Sequence, residues 1–158
     1  MSRRLSRIFI AVTLFVLAIN SRLEARSGSL GLGVIVGNPT GFNLNMKLEA
    51  DRALDLQLGW SPGSQHFNLS YQIWKARAFN SDGVIFDWYY GFGIHYYFRE
   101  RDRREDLQEV GLRVPFGLAH HLRDLPAITF FGELGPTINV VEESSFILDF
   151  GLGVRYHF

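Results

Sequence analysis

Between Leu30 and Phe158 an apolar side chain returns at every second position, in runs of seven to thirteen residues that each close on a turn-forming cluster. A period of two is the period of a β-strand, whose successive side chains point to opposite faces. No stretch of useful length after residue 25 carries the 3.6-residue period of an amphipathic helix. The cleanest run is FDWYYGFGIHYYF at 86–98: Phe86, Trp88, Tyr90, Phe92, Ile94, Tyr96 and Phe98 share one face, and Asp87, Tyr89, Gly91, Gly93, His95 and Tyr97 the other.

The same alternation appears eight times. Leu30 to Val36 leads to the turn NPTG (38–41), and Phe42 to Leu48 leads to Asp51 and Arg52. Leu54 to Trp60 closes on SPGSQ, and Phe67 to Ile73 alternates with Asn68, Ser70, Gln72 and Trp74. After the 86–98 run and the charged stretch RERDRREDLQE (99–109), the sixth run sets Val110, Leu112, Val114, Phe116 and Leu118 against Gly111, Arg113, Pro115, Gly117 and Ala119. The seventh sets Ile128, Phe130, Leu134, Ile138 and Val140 against Thr129, Phe131, Glu133, Thr137 and Asn139. The eighth is FILDFGLGVRYHF, 146–158. Eight strands with short connections predict an all-β, eight-stranded, antiparallel up-and-down barrel spanning residues 26–158.

Such a pattern suits a soluble barrel with its apolar face inward or a transmembrane barrel with that face outward. Size decides. Eight strands enclose only enough room for ordinary side chains, and Phe, Trp, Tyr and Leu on every strand are too many to fit. The opposite face, with Gly91, Gly93, Gly111, Gly117, Gly135, Gly151 and Gly153, leaves space for a few long polar groups. The apolar face is therefore expected to meet lipid. Trp60, Trp88, Tyr96, Phe98, Tyr156 and Phe158 lie near strand ends, as in the aromatic girdles of membrane barrels.

The amino terminus agrees. Arg3, Arg4 and Arg7 precede IFIAVTLFVLAI (8–19), after which the chain turns polar; that is the pattern of a secretory signal peptide, with cleavage expected after Ala25. Twelve apolar residues are too few to span the bilayer as a helix, which needs about 20; the alternative reading is an uncleaved interfacial anchor. Without residues 1–25, the 16 basic and 16 acidic residues become 12 and 15, which leaves no basic surface for nucleic acid. The chain has no cysteine, so disulfides, thiolate catalysis, Cys-ligated metal and lipid attached through an amino-terminal cysteine are excluded.

The terminal strand, ending Tyr156-His157-Phe158, resembles the signal that bacterial outer-membrane proteins present to the barrel assembly machinery. GVIVGNPTGFNLNMK (33–47) resembles the first hairpin of a family of small, mostly uncharacterised eight-stranded outer-membrane proteins known from spirochaetes and other Gram-negative bacteria. The resemblance implies an outer-membrane location and contact with membrane lipid and lipopolysaccharide.

Charges enclosed by a barrel need partners. If the sixth and seventh strands turn near residue 123 and the last two near 144, Arg113, Glu133 and Arg155 form a ladder across neighbouring strands. The same counting brings His95 to Arg113 and Asp87 to His121 within about two residues. Such a cluster either fixes strand register as a packed plug or lines a narrow or gated pore, and the small interior favours the plug.

Some small outer-membrane barrels are lipid-modifying enzymes. The candidates for such chemistry here are His66, His95, His120, His121 and His157 with Ser61, Ser64, Ser70, Ser144 and Ser145. A hydrolytic site needs a nucleophile beside an oriented base, and with the fourth run taken to begin at Phe67, no strand is expected to hold His and Ser two places apart. His120 is expected on the lipid face at the periplasmic edge, and His120 and His121 point to opposite faces, which spoils them as a metal pair. The expectation is a non-enzymatic, porin-like monomer without catalytic residues, cofactor or metal, in envelope structure or surface interaction. With both termini periplasmic, the outside loops are NPTG, SPGSQ, 99–109 and EESS at 142–145. Only 99–109, mixing four arginines with five acidic residues, offers surface for an extracellular partner; the plainer reading is a solvated cap.

Overall fold

The computed structural model describes residues 30–61, 64–81, 84–99, 107–140 and 145–158. The signal peptide expected at 1–25, most of the charged loop and Ser144 lie outside these residues. The strands are β1 (Leu30–Asn38), β2 (Thr40–Glu49), β3 (Arg52–Ser61), β4 (Ser64–Ser81), β5 (Val84–Arg99), β6 (Leu107–Arg113), β7 (Phe116–His121), β8 (Ile128–Asn139) and β9 (Phe146–His157). Each pairs antiparallel with its neighbours, and β9 pairs with β1. The ring is closed, so its staves have no free edge along the shared wall.

The sixth run, expected as one strand, is divided into β6 and β7 at Val114–Pro115. Proline has no N–H to give to a ladder. The register nonetheless runs straight through: Gly93 opposes Arg113 and Tyr90 opposes Phe116 on one side, and Thr137 opposes Arg113 and Leu134 opposes Phe116 on the other. Gly91 N–H donates to the Pro115 carbonyl at 2.9 Å, and Val114 N–H to the Pro136 carbonyl at 2.9 Å. β6 and β7 are thus two halves of one stave, and the barrel has eight.

The faces fall as the alternation requires. Outward residues such as Phe92 (63% exposed) and Leu152 (72%) contrast with inward Asn43, Gln72 and His95, each at 0%. The larger inward apolar groups, Ile35, Tyr89 and Phe131, gather with Ala119 and Trp74 in one small cluster.

Partners followed once round the ring from Leu32 run through Leu44, Leu56, Leu69, Ile94, Leu112 and Ile138 to Phe146. Continuing the β9–β1 register, in which Asn38 opposes Phe150, sets Phe146 level with position 42, ten residues beyond the start. A stagger of ten over eight staves inclines the strands by about 43° to the barrel axis, within the range of small closed barrels.

Two local features shape the ends. At the tip of the first hairpin Gly37 N–H donates to Thr40 Oγ1, whose hydroxyl donates back to the Gly37 carbonyl, each at 3.1 Å. At the other end the β4–β5 hairpin outruns its neighbours, since β3 stops with Arg52 opposite Ile73 while β4 continues to Ser81. A bulge between Lys75 and Phe79, with Arg77 at φ 53°, re-aims that projection, and Arg77 N–H donates to Asp87 Oδ1 at 2.7 Å.

Candidate functional site

Asp55, Glu133, Arg113 and Arg155, deep inside the barrel, each hydrogen-bond to a neighbour, and glycines make the room. Arg155 opposes Gly33 on β1, where a side chain would meet Arg155 Cγ at 2.9 Å. Over this gap its Nε donates to Asn43 Oδ1 at 2.5 Å and its Nη2 to Asp55 Oδ1 at 3.1 Å. Asn43 and Asn45 also donate to Asp55, at 2.8 and 2.9 Å, and Gln57 at 3.2 Å. The ring of Phe131 lies 3.8 Å beneath the Arg155 guanidinium.

A second carboxylate, Glu133, sits beside this group and accepts from four donors. Gln57 Nε2 lies at 2.6 Å, Tyr89 Oη at 2.8 Å, Arg113 Nη2 at 3.0 Å and Gln72 Nε2 at 3.4 Å. Here too small residues open the way. A side chain at Gly117, which opposes Glu133, would collide with the Tyr89 ring, and one at Gly135 with the Arg113 guanidinium. Trp74 stacks on Tyr89 with centroids 4.6 Å apart and donates to Gln72 Oε1 at 3.2 Å.

Towards the loop end, Asp149 lies 3.8 Å from Arg113 Nε and 4.0 Å from His95 Nδ1. His95 Nδ1 is 2.6 Å from Asn68 Oδ1, and Asn68 donates to Gln57 Oε1 at 3.3 Å, which ties this group to Glu133. His66 packs against His95 and Tyr97, with ring centroids 5.6 and 4.8 Å away.

The expected ladder is half right. Arg113 does pair with Glu133, but Arg155 pairs with Asp55 instead, three staves away in the other direction, across β1 and β2. Both turns close about two residues from the positions that the ladder requires, so Arg113 opposes Thr137, and Glu133 opposes Gly117 and Gly151. Arg113 reaches Glu133 diagonally because Gly135 leaves its path clear. His95, opposite Gly111, comes within two residues of Arg113 as expected.

At the end that carries the termini, His121 Nε2 lies 3.3 Å from Asp87 Oδ2, the pairing expected from the sequence, and its Nδ1 lies 2.7 Å from Thr129 Oγ1. This hydroxyl, imidazole and carboxylate come from three adjacent strands, so a search for His and Ser along one strand could not find them. Their order is that of a nucleophile, base and orienting acid. Thr129 is fully buried, however, so its hydroxyl offers no surface to a substrate. The neighbouring depression is small, about 50 Å³, and is lined by Lys47, Trp74, Asp87 and His121 among others.

The remaining candidates are placed structurally. His120 points outward and half-buried, its Nδ1 2.8 Å from the Ile85 carbonyl. His157 turns inward, its ring 6.3 Å from that of His121. Ser64 and His66 do stand two places apart on the inner face of β4, contrary to the expectation, because the strand starts at Ser64 and not at Phe67; Ser64 donates to the Ser61 carbonyl, Ser61 to Asn38 Oδ1, Ser145 accepts from Asn139, and Ser70 is buried on the inner face. Among the described residues no group of three His, Asp or Glu is arranged to hold a metal ion.

The chain is similar in fold to the N-terminal β-barrel domain of OprF from Pseudomonas aeruginosa. That crystal structure aligns with a TM-score of 0.58 over 82% of this chain and 95% of the other, at 16% identity. No protein-family model matches the chain, and no curated protein matches it.

Proposed function

We propose that this protein is a bacterial outer-membrane β-barrel whose interior is a packed polar plug, and that it serves in envelope structure or surface interaction rather than catalysis. One observation carries the reading: a closed ring exposes Phe, Leu and Trp on its outside while Asp55, Glu133, Asp149, Arg113 and Arg155 are sealed inside. Water would make that arrangement costly, whereas lipid requires it, because only a closed ladder satisfies every backbone group in hydrocarbon. The fold likeness to the OprF domain supports the same reading.

On this reading residues 1–25 are removed as a signal peptide, and the strand ending in Phe158 is handed to the barrel assembly machinery. The mature protein is then a monomer contacting membrane lipid and lipopolysaccharide. Heated and unheated samples test it: the folded chain should migrate differently on a gel before and after heating and should fractionate with the outer membrane. A chain recovered in the soluble periplasmic fraction refutes the proposal.

A pore is the second reading. It is favoured by the polar atoms of Arg113 (Nε and Nη1) and both oxygens of Asp149, which are buried without hydrogen-bond partners above the Glu133 group. Single-channel recording on the purified protein and on Glu133→Gln separates the two. The plug predicts no steps in either, and discrete steps altered by the substitution support the pore. The charged loop at 99–109 is the proposed contact for an extracellular protein; deletion of 100–108 that leaves adhesion and serum survival unchanged removes that proposal.

A further inference from the structure

The apolar outer wall is of unequal height. On the outside, β2 is apolar from Phe42 to Leu48, β3 from Leu54 to Trp60 and β4 from Phe67 to Ile73. On β1, Val36 is the last outward apolar residue before the turn. Polar groups flank these spans: Thr40, Glu49, Arg52, Gln65 and Lys75. Seven residues rise about 20 Å along a strand and, at the inclination found here, about 15 Å across a bilayer.

The other side is taller, though not throughout: the β6–β7 stave is apolar outside only from Val110 to Leu118, about 19 Å, between Gln108 and His120. β5 is apolar outside from Val84 to Phe98, and β9 from Phe146 to Phe158. By the same conversion these spans cross about 34 and 29 Å. A membrane barrel ordinarily presents a band of about 25 Å all round. The shortfall is greatest at the loop end beside β1, because β9 continues from Phe150, the last partner of β1, back to Phe146 with no neighbour on that edge. Phe146 and Leu148 on this stretch are exposed.

A short wall can be accommodated by thinning the lipid or by dragging its polar ends into hydrocarbon. The second course is costly here, because the lower ends carry Arg52 and Glu49, paired at 3.6 Å, and sinking these charges into hydrocarbon exceeds what their pairing returns. We propose that the β1–β4 side of the barrel thins the bilayer around it, drawing the hydrocarbon boundary down towards the NPTG turn, while β5 and β9 meet lipid of ordinary thickness. The proposal rests on the membrane-barrel reading given above.

Because the chain has no cysteine, one spin label can be placed at a time. Labels at 54, 56, 58 and 60 on β3 and at 86, 88, 90, 92, 94 and 96 on β5 would be read in dioleoylphosphatidylcholine vesicles by collision with oxygen and with a water-soluble nickel complex. The expected profile on β3 peaks at 56 and 58, at about half the maximum depth found near 90 and 92 on β5. Equal maximum depth on the two strands overturns the proposal but leaves the membrane barrel standing. Shielding of β3 from both reagents also overturns it, by showing that a second copy covers that wall. Nickel access at all ten positions overturns both the thinning and the outer-membrane reading.

Discussion

Arg155 and Asp55, a hundred residues apart in the chain, meet inside the barrel at 3.1 Å with both side chains closed to solvent. The contact joins β9 to β3, so it forms only when the ring has closed through β1 and β2. Its neighbours Asn43, Asn45 and Gln57 saturate the carboxylate, and Phe131 supports the guanidinium.

Breaking a buried pair leaves an uncompensated charge, whereas removing both partners does not. Arg155→Met is therefore expected to destabilise the folded barrel by about 3–5 kcal/mol. Adding Asp55→Asn to that variant should recover more than half of the loss. Urea titration in lipid vesicles, read by the shift between folded and unfolded bands, measures both. Additive losses in the double variant contradict the pairing.

The glycine lanes give a second test. Gly135→Ala places a methyl group on the Arg113 guanidinium and displaces it from Glu133; overpacking of this kind costs about 1–3 kcal/mol. Gly132→Ala, on the same strand but facing outward, approaches the flexible Leu152 Cδ2 at 3.1 Å and the Gly151 carbonyl at 4.0 Å, and a surface change of that kind stays within about 0.5 kcal/mol. Equal effects at the two positions would mean that the interior is not packed as described.

Charge on the outer wall should be penalised by depth. Leu134, 52% exposed on β8, lies near the middle of the wall, and Leu48, 42% exposed on β2, lies at its rim beside Glu49. Leu134→Arg is expected to cost about 2–4 kcal/mol in lipid and Leu48→Arg about 0–1 kcal/mol. Leu134→Ala serves as the control for lost contact. The same urea titration checks the order, and a reversed order contradicts the assignment of depth.

Much of this architecture is legible in the sequence because a period of two is a property of the backbone itself: once a strand is recognised, each residue's face follows. Asn43, Asp55, Gln72 and Glu133 therefore fell on the inner face without error. Register is another matter. It depends on where each turn closes, and the reversal between β7 and β8 takes six residues, 122–127, so counting from a guessed centre shifted Glu133 away from its true partners Gly117 and Gly151. Contacts between strands that are not neighbours, such as Arg155 with Asp55, leave no mark in the alternation. Nor does the Asp87–His121–Thr129 trio, which needs three registers at once. Pro115 was visible, and its interruption of the sixth stave follows from its missing N–H alone.

The central claim is that the apolar face looks outward into lipid, and the three tryptophans test it. Trp60 and Trp88 sit on the outer wall, whereas Trp74 faces inward, stacked on Tyr89. Single-tryptophan variants reconstituted in vesicles of brominated phosphatidylcholine should show strong fluorescence quenching of Trp60 and Trp88 and little of Trp74. Quenching of Trp74 with Trp60 and Trp88 spared would place the apolar face inside and contradict the account.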